Sequence, residues 1–214
     1  MFLSNILQNP IYVVAFIVAF GIGLTIHEFA HAFVAYKSGD ATAKLNGRMT
    51  LNPFAHFDPI GTIFILIAGF GWGKPVPIDP RNFHKRSDEI KVALAGIIAN
   101  LIVAFALALP IRYALMTGHT IDSSAALSFL NFIVELNLML AAFNLLPIYP
   151  LDGSHIVEYF LSPDMQETYQ SVGPVILIGL LVIGPLTGTS IISTIMEPIL
   201  RVFSFLVKGT IFTF

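Results

Sequence analysis

The sequence predicts an all-α polytopic membrane protein with about five to six transmembrane or re-entrant segments, and a small β-like loop between the first two core helices. Three observations carry this fold class. The chain is 56% hydrophobic and only 11% charged, where ordinary soluble domains carry about 25% charged residues. Its mean hydropathy is +0.81. Several apolar runs approach or exceed the roughly 20 residues a helix needs to cross a bilayer, with Pro, Gly and basic residues between them. The length of 214 residues suits one domain over residues 1–214. No internal repeat or low-complexity segment interrupts it.

The elements follow in order. Residues 1–9 carry no basic cluster and no small-residue cleavage site, so the first apolar run is expected to be a retained span and not a signal peptide. That run extends from Pro10, suited to a first helical position, to Tyr36, and Ser38-Gly39-Asp40 stops it. Within the mixed stretch Lys37–Asp88, Leu45–Phe54 alternates loosely like a strand and offers an edge for pairing with an extended substrate. Residues Ile60–Phe70 are apolar but too short to span, and are expected to be re-entrant or interfacial. Trp72, among glycines, suits the headgroup level. A second long helix is expected over Glu89–Met116, kinked at Pro110. A third is expected over Ser124–Leu146, stopped by Pro147. A short amphipathic piece over Gly153–Leu161 and two further apolar runs, Ser171–Ile183 and Ile191–Val207, complete the chain.

Basic residues set the expected orientation. Lys37, Lys44, Arg48, Lys74, Arg81, Lys85, Arg86 and Lys91 cluster after the first long helix and at the start of the second. With strictly alternating spans, Arg201 and Lys208 fall on the same side, and only Arg112 falls near the other. That side is expected to be cytoplasmic, with the N-terminus outside a multi-pass protein of the cell membrane. A net charge of −2 gives no case for nucleic-acid binding. The absence of Cys excludes disulfides, thiolate ligands and a Cys nucleophile.

The most specific motif is His27-Glu28-Phe29-Ala30-His31, inside the first apolar run. H-E-x-x-H on a helix places two imidazoles one turn apart on one face, spaced to share a Zn²⁺. The Glu between them lies beside that face, where it can deprotonate water. Ionisable groups inside a span are expensive and default to function. A zinc site of this kind needs a third protein ligand. The best candidate is Asp152, in Asn144-Leu145-Leu146-Pro147-Ile148-Tyr149-Pro150-Leu151-Asp152-Gly153. Alternation puts the ends of the first and third long helices at similar depth. The same stretch also fits a plain Pro-rich helix exit capped by Asp-Gly.

H-E-F-A-H in a first long span, with N-L-L-P-I-Y-P-L-D-G after a later one, resembles the site-2 protease family of intramembrane zinc metalloproteases. The segments Gly47–Pro53, His56–Thr62, Lys74–Pro77, Pro80–Asn82 and Ala95–Asn100 resemble its compact prokaryotic branch, which lacks PDZ or nucleotide-sensing domains. The resemblance covers roughly Gly21–Ser154. It implies His27, His31 and Asp152 as ligands of one Zn²⁺ per chain and Glu28 as general base. It places Asn144 and Asn100 at positions that hold substrate or the oxyanion. Ile97 stands where the family often has Pro. The implied activity is hydrolysis of peptide bonds in or near transmembrane segments of membrane-protein substrates, within the lipid bilayer. A non-proteolytic membrane metal-binding or transport protein is the alternative. It is disfavoured because transport needs ionisable groups repeated along several spans, and these concentrate at one site. Oligomeric state, substrate identity and cleavage site are not encoded legibly. Glu135 is expected to make a structural polar contact. His56 and His84 are expected at surface or turn positions, and His155 in a solvated loop.

Overall fold

A computed structural model describes residues 10–68, 71–121, 124–188 and 191–209. Among these residues the chain is all-α, with no strand. The helices are α1 (Pro10–Lys37), α2 (Thr42–Leu45), α3 (Pro59–Ala68), α4 (Asp88–Met116), α5 (Ala125–Asn144), α6 (Asp152–Glu158), α7 (Pro163–Thr187) and α8 (Ile191–Lys208). Among the described residues, four segments are long and apolar enough to cross a membrane: Val13–Lys37, Asp88–Met116, Ala125–Asn144 and Pro163–Gly184.

The helices start and stop where local chemistry dictates. Ser124 caps α5 by accepting the Leu127 N–H at 3.1 Å. Pro163 opens α7, and Gly188 closes it with a left-handed φ of 72°. α4 runs unbroken through Pro110. It also continues through Ile97, which is buried.

The core is a three-helix unit of α1, α4 and α5, with the C-terminal helices packed on its side. In lipid, the exclusion of water does not drive helices together, and close van der Waals packing takes over. The sequence supplies small residues for it. Ala19, Ala32, Ala35, Ala104, Ala108, Ala141 and Ala142 are fully buried. Leu138, Val134, Ile111 and Leu200 pack in one buried cluster with Ala104, Ala108 and Ala142. Conversely, Val14, Ile17, Ile102, Phe105, Val175 and Ile178 are exposed, as lipid-facing positions should be.

The loop between α1 and α4 departs from the sequence expectation. Leu45–Phe54 forms no strand. It consists of α2, a turn at Gly47 and a short 3₁₀ turn at Pro53–Ala55, so the expected pairing edge is absent. Side-chain-to-backbone bonds outcompete a ladder: His56 Nε2 lies 2.8 Å from the Thr50 carbonyl and Arg48 donates to the Lys74 carbonyl at 2.8 Å. The only β-type pairing among the described residues is an isolated antiparallel bridge, Phe57 to Gly73. It closes the base of the hairpin that carries α3. Phe57 packs by Gly21 and Gly73 by Leu24, deeper along α1 than His27. That position supports the re-entrant reading of α3. His56 lies at a turn, one of the two positions expected for it, and is fully buried there.

The C-terminal helix also departs from strict alternation. Lys208 Nζ lies 3.1 Å from Glu135 Oε1 in the middle of α5. Arg112, near the end of α4, donates to the Val207 carbonyl at 3.4 Å. Lys208 therefore sits at the Arg112 end of the bundle, not with the basic loop. A carboxylate in mid-span needs a partner. Glu135 has Lys208 and also accepts from Asn131 at 2.9 Å, the structural polar contact expected of it.

The basic loop is tied back to the end of α1 by Asp40, which is fully buried. Its carboxylate accepts from the Thr42 and Asp79 amides at 3.0 and 2.8 Å and from Asn82 at 3.0 Å. Burial alone would raise its pKa, but these donors outweigh it and hold the carboxyl below the ordinary value of 3.8. A depressed folded pKa means that the stabilisation is present above 3.8 and is lost as pH falls below it. The amides of Asp79, Arg81 and Asn82 should therefore lose protection relative to their intrinsic exchange rates in protein taken below about pH 4, and Asp40→Asn should show that lower protection already at neutral pH. Identical exchange in wild type and variant would refute this role.

Candidate metal centre and active site

The i, i+4 spacing on α1 does what helical geometry requires. His27 and His31 point the same way, their ring centroids 4.5 Å apart. Both are buried, as is Glu28. The third member arrives from the far side of the sequence. α5 ends at Asn144, and Pro147 and Pro150 prevent its continuation; the Tyr149–Pro150 peptide is cis. Short-range bonds wind the connection tightly, Ile148 N–H to Leu146 O and Leu151 N–H to Ile148 O, both 2.9 Å. α6 then starts with Asp152 in its first turn. Gly153 makes the close seat possible, because a Cβ there would lie 2.3 Å from the Leu145 carbonyl oxygen.

The result is convergence on one point. Asp152 Oδ2 lies 3.1 Å from His27 Nε2 and 3.2 Å from His31 Nε2, and the two Nε2 atoms are 3.0 Å apart. These three residues form the one cluster of potential metal ligands found among the described residues. The expected match in depth between the two half-sites is met. His31 Nδ1 lies 2.7 Å from the Val92 carbonyl, which assigns the proton to Nδ1 and turns the Nε2 lone pair inward. With His27 in the same tautomer, two imidazole lone pairs and the Asp152 carboxylate oxygen face each other in a buried space. A cation satisfies such a set. Ligand atoms about 2.0–2.1 Å from a tetrahedral zinc would be roughly 3.3 Å apart, close to the observed spacings, so the residues present fit zinc.

Two supporting contacts were not evident from the sequence. Glu28 Oε2 accepts the Val76 N–H at 2.8 Å, which fixes the carboxylate against the returning loop. Val76 lies between Pro75 and Pro77, neither of which has an N–H. The Pro-Val-Pro pattern was the available signal: it leaves one backbone donor in a stiff, extended segment. Gly96 is the second. A Cβ on it would lie 2.4 Å from His31 Nε2 and 2.5 Å from His27 Cε1. Glycine inside a helix costs about 1 kcal/mol relative to Ala, and its presence in α4 was a sign of close approach.

The remaining candidates are placed as follows. Asn144, at the end of α5, is half-buried. Its Nδ2 donates to Leu140 O at 3.0 Å, leaving one N–H and Oδ1 uncommitted within the residue. Asn100 lies on α4 one turn beyond Gly96 and is completely buried. His155 is on α6 rather than in a loop, and pairs with Glu158 at 2.8 Å. Glu158 also accepts from Gln170 at 2.8 Å, which ties α6 to α7.

Gly96→Ala tests the packing of the centre. The α4 backbone has little freedom to retreat, because Val92 is bonded to His31. The variant should span the membrane and purify normally, yet retain little zinc in metal analysis after dialysis. Full zinc occupancy in Gly96→Ala would show that the imidazoles do not need the gap.

Comparison with known proteins agrees with this geometry. The model of "Peptidase family M50" matches residues 109–183, the stretch that contains Asn144 and Asp152. The chain is similar to "Putative zinc metalloprotease YwhC" of Bacillus subtilis, 46% identical over 166 residues, covering 73% of this chain and 72% of that protein. It is also similar to two proteins named "Putative zinc metalloprotease Rip2". The one from Mycolicibacterium smegmatis is 35% identical, covering 67% of this chain and 56% of the relative. The one from Mycobacterium tuberculosis strain H37Rv is 31% identical, covering 76% and 63%. The chain thus spans less than two thirds of these two relatives. No solved structure matches. With four helices fit to span a bilayer and a buried His-His-Asp cluster that suits zinc, the chain belongs to peptidase family M50, the site-2 protease family of membrane zinc metalloproteases.

Proposed function

We propose that this metalloprotease cuts peptide bonds in or near the transmembrane segments of other membrane proteins, with His27, His31 and Asp152 holding its zinc and Glu28 acting as general base. The observation that carries this reading is the convergence of the three buried ligand atoms on one point, with Glu28 beside them. Zinc bound there supplies Lewis acidity, which polarises a carbonyl and makes water a better nucleophile. The chain's own groups do the rest. Glu28 has Oε2 engaged by the Val76 amide, so the carboxylate cannot swing away and Oε1 is left to take the proton from water. The same carboxyl then hands that proton to the leaving amine. Val92 keeps His31 in the ligating tautomer. Asn144 offers an amide N–H and a carbonyl oxygen to the extended substrate backbone or the developing oxyanion. Asn100, the other residue the resemblance points to for substrate or the oxyanion, is fully buried in the substrate-free chain.

Cleavage requires a peptide carbonyl free of helical hydrogen bonds. Substrates with Gly or Pro near the scissile bond are therefore the better ones. The orientation proposed is N-terminus outside and active site toward the cytoplasm. It rests on eight basic residues, Lys37 to Lys91, at the end of α1, in the loop that follows and at the start of α4, the end of the bundle that carries the site. Residues 1–214 are proposed to act as one protease domain.

Two variants test the assignment in detergent-purified protein. Glu28→Gln keeps both imidazoles and should retain zinc, while cleavage of a single-span substrate panel falls by at least about 10²-fold. Normal cleavage by this variant would remove Glu28 from the mechanism. Asp152→Ala should lose zinc on dialysis together with all activity, and full zinc retention would mean that the third ligand lies elsewhere.

A further inference from the structure

His27 differs from His31 in one respect that chemistry does not leave idle. A metal-binding imidazole nearly always uses its second ring nitrogen as a donor, which orients the ring and strengthens the ligand. His31 Nδ1 has the Val92 carbonyl. His27 Nδ1 is buried and has no hydrogen-bond partner. The backbone of α4 is too close to admit a side chain there: a Cβ on Gly96 would lie 2.6 Å from His27 Nδ1.

One helical turn deeper, two further amides are in the same condition. Asn100 follows Gly96 by one turn on the same face of α4. It is fully buried, and neither Oδ1 nor Nδ2 has a partner. Asn137 of α5 is also fully buried. Its Nδ2 donates to Ile133 O at 2.9 Å, but its Oδ1 has no partner. Asn137 Oδ1 faces α1 at Gly23, lying 3.4 Å from where a Cβ on that residue would be, and Gly23 precedes His27 by one turn. So α4 carries an unsatisfied amide one turn from Gly96, which flanks the His27 ring, and α5 carries one that faces Gly23, one turn before His27. Buried polar groups without protein partners are satisfied by water, and a buried water needs two to four polar partners. His27 Nδ1–H, Asn100 Oδ1 and Nδ2, and Asn137 Oδ1 provide four.

We infer that Asn100 and Asn137 hold a small cluster of ordered water against His27 Nδ1, and are positioning residues for the metal-binding face of His27. This rests on the reading of His27 as a zinc ligand. The water lies on the side of the ring opposite Nε2 and takes no part in hydrolysis. It replaces the backbone carbonyl that His31 has and His27 lacks. Asn100 thereby acquires a role that its complete burial allows.

The test uses the full chain in detergent, stripped of metal and titrated with zinc against a chelator of known affinity. Thermal unfolding of the metal-free protein is followed in parallel. Asn100→Leu and Asn137→Leu should each weaken zinc binding about 10–100-fold, while the metal-free variants still melt cooperatively as folded proteins. The double variant should lose less than the product of the two single losses, since both act through the same water. Where a leucine variant fails to fold, the alanine variant removes the amide without adding volume, and the same weakening is expected. Unchanged zinc affinity in folded variants of both positions would overturn the inference, as would a fall in metal-free stability with no change in affinity. His27→Ala separates the two levels. If it loses zinc while the asparagine variants bind normally, only this inference fails; if it keeps zinc, the ligand assignment fails as well.

Discussion

The closeness of α1 to α4 is the constraint on which the site depends. Gly96 leaves no side chain between the α4 backbone and the two imidazoles. The Val92 carbonyl can then reach His31 at 2.7 Å. With the first ring fixed from behind, its lone pair points to where Asp152 arrives from α6. Move α4 outward by one methyl group and this chain of contacts opens at its first link. The fully buried alanines elsewhere along the helices have the same effect over the length of the bundle. Small residues set the interhelical distance, and that distance sets the metal centre.

Much of the site was legible in the sequence because its chemistry is local. His27, Glu28 and His31 share one helical turn, and helical periodicity alone places them. Asp152 was harder. It became legible because two prolines end a long apolar run just before it, and because alternate crossings put two helix ends at one depth. What stayed hidden was non-local and backbone-made. The Val76 amide reaches Glu28 from a loop, and no side-chain pattern encodes a backbone N–H except the prolines flanking it. Val92 contributes a carbonyl, which every residue has.

The errors have physical causes too. Leu45–Phe54 alternates in sequence as a strand does, yet local bonds at Asn46, Asn52 and His56 bend it into turns. A strand also needs a partner, which a sequence window does not reveal. Lys208 was placed by counting crossings, and Glu135 overrode the count. A cation beside a mid-span carboxylate gains more than one placed to satisfy a charge-sidedness rule, because the surrounding hydrocarbon offers the carboxylate nothing else.

The order of the proposed ligands along the chain has a consequence for biosynthesis. Membrane helices are inserted as the ribosome makes them, and α1, with His27, His31 and Glu28, comes first. The Val76 amide that steadies Glu28 follows on the loop, and Asp152 is synthesised only after α5. A growing chain thus carries a recognisable but inert half-centre through most of its production. A protease embedded beside the nascent spans of other proteins is dangerous if active early. On the proposed ligand set, a chain that stops before Asp152 lacks the third ligand, so competence to hold zinc arrives only with the third crossing.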